Sequence, residues 1–341
     1  FFQLIYHVSP FPINFIYFVL LAFPAFSNFK DGGRFLDIIL LIAGLLFLGY
    51  ILKSVGILPE ESKRVLNALV LKVTMPCTVL YSMLKNVQAG EIPHFLKLTL
   101  LMLLLSGMFL FLTLVIGRYF ISDKRTLYAF ALVCSAGNTA FMGFPIVEGF
   151  FGTEGLVRAI FCDISTLLVI LTASTYLGGK LMNINRNIFH DLVKFPPLIA
   201  WLVSVIIILF GFSLSDFPPI FEMFLSSLSH LTTPLIMLTV GISLSPRYIK
   251  RSLKESAAAT SIKLLLMPIA AFIIASLFSF STLDKNVCTL EAAMPPAMII
   301  PFSATFTDEF KVCIGNNIHI GRVVFSYSAA DLYRFDTHMT I

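Results

Sequence analysis

The stretch "CSAGNTAFMGFPI", residues 134–146, places glycine, asparagine and proline inside an otherwise apolar segment. Glycine and proline are the poorest helix formers, yet the surrounding apolar run is long enough to cross a bilayer, which takes roughly 20 residues. A helix broken at bilayer depth frees backbone N–H and C=O groups, which persist only where protein or a watery cavity satisfies them. The stretch therefore predicts a broken membrane helix that borders a buried polar site.

The composition of the whole chain indicates the same environment. Of 341 residues, 57% are hydrophobic and 13% are charged, and the mean hydropathy is +0.90, which excludes an ordinary soluble domain. Apolar runs of spanning length recur along almost the entire sequence, so we expect an all-α integral membrane protein that contacts the lipid bilayer. The five cysteines lie far apart and show no metal-ligand spacing, so we expect neither a metal site nor a cofactor.

The net charge of +5 arises from lysines and arginines that cluster in alternate connectors. Connectors rich in these residues stay in the cytoplasm, which predicts a multi-pass protein of the plasma or inner membrane with its odd-numbered connectors cytoplasmic. Because this charge sets orientation, we expect no nucleic-acid partner.

Proline landmarks indicate an internal repeat. "TMPCTVL" (74–80) resembles "TTPLIML" (232–238), which aligns Pro76 with Pro234, and Pro145 aligns with Pro301 at nearly the same offset. That offset contains five spans, an odd number, so the second copy must be inverted relative to the first. The sequence predicts about ten spans arranged as a first repeat over 35–180 and a second over 195–311.

Both ends of the chain depart from this pattern. Residues 1–34 form an atypical N-terminal segment with three prolines and no recognisable span. Residues 312–341 fall where a tenth span is expected, yet Arg322 and Asp331 would each cost about 2.5 to 3.5 kcal/mol near a bilayer centre. We therefore expect a degenerate or truncated tenth span.

The ninth span, "LEAAMPPAMIIPFSATF" (290–306), carries the second break, so two breaks would face each other at the repeat interface. Half-helix N-termini favour an anion there. Each dipole supplies only about 0.3 to 1 kcal/mol, less than the several kcal/mol needed to desolvate a carboxylate, so side-chain hydrogen bonds must add to it. Asn138 is the leading candidate, although an interhelical hydrogen bond is its alternative role. The expected substrate-binding residues are Gly137, Asn138, Thr139, Pro145, Pro295 and Pro296.

Two carboxylates, Glu291 and Asp163, fall inside spans. Intramembrane carboxylates are functional candidates by default. Either could carry a coupling proton or contact a cation such as sodium, and either could instead accept hydrogen bonds from the freed backbone. Two lysines, Lys72 and Lys263, also fall inside spans, and we expect them to reach the membrane surface or to pair internally.

Four motifs give the chain a family resemblance. They are "GYILKSVGILPEESKRVLNALVLKVTMPCTVL" (49–80), "GNTAFMGFPIVEGFFG" (137–152), "PLIMLTVGISLS" (234–245) and "EAAMPPAMIIPFSATF" (291–306). Over about residues 36–310 the chain resembles the auxin efflux carrier family, which includes bacterial malate- and malonate-type permeases and the plant PIN auxin exporters. The resemblance implies ten spans, broken helices crossing at spans 4 and 9, and the broad fold of bile acid symporters. It also implies elevator-type alternating access, with spans 1, 2, 6 and 7 as the scaffold.

The favoured function is a secondary carrier for a small organic anion, such as a carboxylate. A membrane receptor or sensor that binds the anion without moving it is the alternative, and a homodimer is compatible with both. The sequence contains no nucleotide-binding loop, no H-E-x-x-H and no G-x-S-x-G, so we expect no enzyme and no catalytic residue.

Overall fold

A computed structural model describes residues 32–59, 61–182, 195–243, 258–259 and 261–296. Most of these residues form helices. The helices are α1 (Gly32–Ser54), α2 (Ser62–Asn86), α3 (Ile92–Gly117), α4 (Lys124–Ser135), α5 (Phe144–Met182), α6 (Pro196–Leu209), α7 (Pro219–Ser243), α8 (Ile262–Leu277) and α9 (Thr282–Ala292). The expectations for the N-terminal segment, for Pro301 and for the tenth span lie outside the described residues.

Prolines widen three of these helices without ending them. A π-helical turn precedes a proline by one intervening residue in each case: Val70–Thr74 before Pro76, Thr139–Gly143 before Pro145, and Ile262–Leu266 before Pro268. The proline ring would collide with the carbonyl four residues earlier in a regular α-helix, and the wider π-turn gives that carbonyl room. Pro145 therefore lies in a continuing helix, and the true break lies earlier in the chain.

A different residue bends the long helix α5. Gly152 has φ 64° and ψ −159°, a conformation that other residues rarely adopt. The chain therefore changes direction there and continues as a second helical segment, which corresponds to the boundary between the fourth and fifth apolar runs.

The exposed surface of the helices is apolar. Among the described residues, five helices are long and apolar enough to span a membrane, and α3 has the highest mean hydropathy of these, 2.6. Leu98 and Leu105 of α3 are fully buried, whereas Leu104 and Phe111 are 64% and 65% exposed. A helix that is apolar on its exposed face as well as its buried face is typical of a membrane span. The prediction of an all-α, multi-pass membrane protein is therefore confirmed.

The helices pack in two groups. In the first group, α7 packs against α1 and α2, and α2 also packs against α6. In the second group, α3 packs against α4, α5 and α8, while α9 packs against α5 and α8. The two groups meet mainly where α5 contacts α1 and α2.

A glycine contact brings α1 and α7 together. A Cβ atom built on Gly49 would collide with the carbonyl oxygen of Leu238 and lie 3.1 Å from the Cα of Gly241. A Cβ on Gly241 would in turn collide with the carbonyl oxygen of Leu46. Small residues of this kind let membrane helices approach closely, and packing then holds them together.

Helices α5 and α9 lie side by side in the same direction. Arg158 contacts Asp284 through its Nε, 2.6 Å from Oδ1, and one turn further along both helices the sulfur atoms of Cys162 and Cys288 are 3.7 Å apart. This alignment carries the C-terminal end of α9 to the place where α4 ends.

Candidate functional site

The site is built where two interrupted helices meet. Helix α4 ends at Ser135 and α9 ends at Ala292. Beyond these ends Gly137 and Pro296 form an isolated antiparallel bridge, and the backbone N–H of Asn138 donates to the carbonyl oxygen of Pro295 at 2.6 Å. Backbone groups freed at the ends of the two helices therefore hydrogen-bond to each other, as a helix break at membrane depth requires.

Asn138 lies at the centre of this crossing. Its carbonyl oxygen accepts from the backbone N–H groups of Met142 and Gly143, at 3.1 and 3.2 Å, and so starts the next helix. The residue is 4% exposed, and its side-chain Nδ2 is buried without a hydrogen-bond partner among the described residues. Buried polar groups are nearly always paired, so this amide is a donor that a ligand could satisfy.

Thr139 and Asp163 form a hydrogen-bonded pair beside Asn138. The Thr139 hydroxyl donates to Asp163 Oδ1 at 2.5 Å, and both side chains are buried. Asp163 comes from the second segment of α5, which lies next to the turn that begins at Thr139. The pair brings a carboxyl group to the N-terminal end of that turn.

Glu291 packs against the C-terminal end of the same turn. It is completely buried, and neither carboxyl oxygen has a hydrogen-bond partner in the described part of the chain. Its carboxyl group packs against the Cα of Gly143, because a Cβ atom built there would fall 2.8 Å from Glu291 Cδ and closer still to both oxygens. Gly143 therefore provides the space that the carboxyl group occupies.

Lys263, from the π-turn at the start of α8, contacts the other end of the break. It is completely buried, and its Nζ donates to Met267 Sδ at 2.8 Å. A Cβ atom built on Gly137 would lie 3.1 Å from that Nζ and 3.3 Å from the carbonyl oxygen of Glu291. Two glycines thus let one buried cation and one buried carboxyl group approach the crossing.

A second polar cluster lies at the other end of α9. Asp284 is fully buried and is contacted by Arg158, by His94 at 3.1 Å from its Oδ2, and by the Ser281 hydroxyl at 2.6 Å. The Arg158 guanidinium also lies 5.5 Å from the ring centre of Phe95. Both carboxyl oxygens of Asp284 have partners, so this cluster holds α3, α5 and α9 together.

The predicted site residues fall in two sets. Gly137, Asn138, Thr139, Pro295, Pro296 and Glu291 meet at the crossing, and Asp163 joins them through Thr139. Pro145 lies further along the chain, buried in the helix that continues from the Thr139–Gly143 π-turn into α5.

Two features escaped the sequence reasoning. The contact of Lys263 with Gly137 had no sequence signal beyond a charged residue inside an apolar run. The bond between Arg158 and Asp284 could have been anticipated only in part, since "STLD" (281–284) has the spacing of a capping box.

Comparison with known proteins identifies the chain. The family model described as "Membrane transport protein" matches residues 36–183 and 180–314. The chain belongs to this family. The resemblance to the auxin efflux carriers is thereby confirmed, and the crossing described above is a feature of a membrane transport protein.

Three similar proteins are each named as transporters, and each aligns with most of this chain. An uncharacterized transporter of Methanocaldococcus jannaschii is 37% identical over 268 residues, covering 77% of this chain and 86% of the relative. An uncharacterized transporter of Methanothermobacter thermautotrophicus is 32% identical over 274 residues, covering 80% and 88%. The uncharacterized transporter YfdV of Escherichia coli is 24% identical over 273 residues, covering 77% and 85%. Each match covers most of both chains.

Proposed function

We propose that this membrane transport protein is a secondary carrier for a small organic anion, which it binds at the helix crossing. The observation that carries the proposal is the side-chain amide of Asn138, buried at the crossing with no hydrogen-bond partner for its Nδ2 among the described residues. A carboxylate ligand would accept a hydrogen bond from this amide. It would also be favoured by the N-terminal end of the helical turn that starts at Thr139.

The two carboxyl groups beside Asn138 support coupling to an ion. An entering organic anion would meet Asp163 and Glu291 within the same buried site, and like charges in a medium of low dielectric repel strongly. A proton or a sodium ion that neutralises one of them would remove this repulsion. The anion and the coupling ion would then bind together, which is the requirement for ion-coupled symport.

The packing of the helices supports an elevator-type mechanism. Helices α1, α2, α6 and α7 form one packed group, and the helices that carry the crossing form another. We infer that the first group is the scaffold and that the second moves with the bound anion. The inverted five-plus-five repeat, the ten spans, the cytoplasmic odd-numbered connectors and a homodimer belong to this proposal.

The test is uptake of dicarboxylates and indole carboxylates into proteoliposomes, with and without a proton or sodium gradient. Asn138→Ala should abolish saturable uptake, and Asn138→Asp should do so as well because it replaces the donor with a like charge. Asn67→Ala is the matched control, since Asn67 is also 4% exposed, with a side-chain oxygen that has no partner in the described part of the chain, but lies in α2, away from the crossing.

The outcomes separate the candidates. Loss of uptake in both Asn138 variants, with Asn67→Ala active and all variants inserted in the membrane, supports the proposal. Saturable uptake that persists in Asn138→Ala would reject the assigned binding site. Saturable anion binding without any uptake by the wild-type protein would favour the receptor or sensor instead.

A further inference from the structure

Lys263 is the buried charge that the proposed anion site does not use. It belongs to the π-turn Ile262–Leu266 of α8 and is 0% exposed. An ammonium group has three donors, and the hydrogen bond found for its Nζ goes to the Met267 thioether, a weak acceptor. The ammonium therefore obtains little stabilisation from hydrogen bonding, and other groups must compensate its desolvation.

One acidic side chain and two helix ends lie around Lys263. Glu291 is close enough to Lys263 to interact with it electrostatically. The C-terminal ends of α4 and α9 meet at the same place, and a helix C-terminus carries a partial negative charge. The carbonyl oxygen of Glu291 is one of those terminal carbonyls and lies beside Gly137, against which the ammonium packs.

These surroundings match what a monovalent cation needs. Unwound carbonyls and half-helix C-terminal ends coordinate sodium in transporters with broken helices. A buried carboxylate costs several kcal/mol unless an opposite charge compensates it, and Glu291 has no hydrogen bond that could do so within the described ranges. The Lys263 ammonium carries the same unit charge as sodium and is held in this place by the chain itself.

We propose that Lys263 is a tethered cation that occupies a monovalent-cation site formed by Glu291 and the C-terminal ends of α4 and α9, and that sodium binds there only when the ammonium is absent. This inference deepens the ion-coupling part of the proposed function, but it concerns cation binding and does not require that an anion be transported. In the wild-type protein the site is closed to sodium, so a proton is the ion left for coupling.

The experiment measures sodium binding to the purified, detergent-solubilised chain. Radioactive sodium is the probe, and the melting temperature in sodium chloride is compared with that in choline chloride. Lys263→Met keeps an unbranched side chain but removes the ammonium, so this variant should gain saturable sodium binding and a sodium-dependent rise in melting temperature. The wild-type protein and Lys263→Arg should show neither.

Two further variants define the site. Lys72→Met is the matched control, because Lys72 also lies in a π-turn of a membrane helix but is exposed; it should not gain sodium binding. Adding Glu291→Gln to Lys263→Met should weaken sodium binding at least about tenfold, which corresponds to about 1.4 kcal/mol. Anion uptake is not part of either readout, so failure here is distinct from failure of the anion proposal.

Folding of Lys263→Met provides an independent check. If removal of the ammonium leaves Glu291 uncompensated, Lys263→Met should melt lower in choline chloride than the double variant Lys263→Met/Glu291→Gln. If Lys263→Met does not fold at all, recovery of folded protein in the double variant supports the pairing, and no recovery overturns it. Folded Lys263→Met without saturable sodium binding also overturns the proposal, as does saturable sodium binding by the wild-type protein.

Discussion

Replacement of Gly143 by alanine tests the geometry of the crossing directly. The added Cβ atom would lie 2.5 Å from Oε1 of Glu291 and 2.8 Å from its Cδ, distances that real carbon atoms do not tolerate. The Glu291 side chain is completely buried, and its carboxyl end must shift to make room for the added carbon atom. The perturbation therefore acts on one contact between the turn after Asn138 and the end of α9.

The expected magnitude follows from two opposing effects. Overpacking a well-packed interior costs about 1–3 kcal/mol, while glycine to alanine in a helix gains about 1 kcal/mol. Gly143→Ala should therefore lower the free energy of unfolding by up to about 2 kcal/mol. In a Glu291→Ala background the carboxyl group is gone, and the same substitution should be neutral or stabilising. The coupling energy between the two positions should be about 1–3 kcal/mol.

The assay is a double-mutant cycle in which SDS titration of the protein in mixed micelles gives each free energy of unfolding. Gly107→Ala in α3 is the matched control, since a Cβ atom built there meets nothing within 4 Å; it should be neutral or stabilising in both backgrounds. Equal effects of Gly143→Ala with and without the Glu291 carboxyl group would show that the two do not touch, and the described arrangement of the crossing would be wrong.

Two other contacts give further predictions. Gly241→Ala should destabilise the protein by about 1–3 kcal/mol in the same titration, because its Cβ would meet the α1 backbone near Gly49, which cannot move aside; stability equal to wild type would contradict the close helix contact. Arg158→Ala should cost about 3 kcal/mol because it removes the main partner of a buried carboxylate, and Asp284→Asn should recover part of that loss. Lys85→Ala, which breaks an exposed ion pair, is the control and should have little effect; an equal effect would mean that the Asp284 cluster is not buried in solution.

The sequence predicted the features that depend on composition and on local chemistry. The thickness of the bilayer fixes the length of an apolar run that spans it, and the absence of water there favours helices. The positions of the helices and the assignment to membrane proteins therefore followed from residue type alone. The stretch around Asn138 predicted a helix break because glycine is unfavourable within a helix. Prolines were a less certain guide, since Pro76, Pro145 and Pro268 each follow a π-turn within a continuing helix.

The contacts of the site could not be predicted in the same way. Gly137 and Pro296 are far apart in the chain, and their pairing depends on how α4 and α9 are placed by α3, α5 and α8. Lys263 shows why sequence alone was insufficient. A lysine in an apolar run can reach the membrane surface or can be buried near a carboxyl group, and the local sequence is the same in both cases. Lys72 and Lys263 have similar local sequences, and only tertiary packing exposes one and buries the other.

The two helix breaks hydrogen-bond to each other through their backbones. The polar atoms left without partners at the crossing are therefore side-chain atoms. The backbone of Asn138 is satisfied by Pro295 and by its own following turn, so the interruption itself costs little. Of the seven buried side-chain atoms without partners in the described residues, three belong to Asn138 and Glu291. Such atoms carry a desolvation cost of about 1–3 kcal/mol each, and more when charged. A ligand that supplies an acceptor to Asn138 would remove this cost at the amide, and a proton would remove it at Glu291, so binding of an anion together with a proton is favoured over binding of either alone.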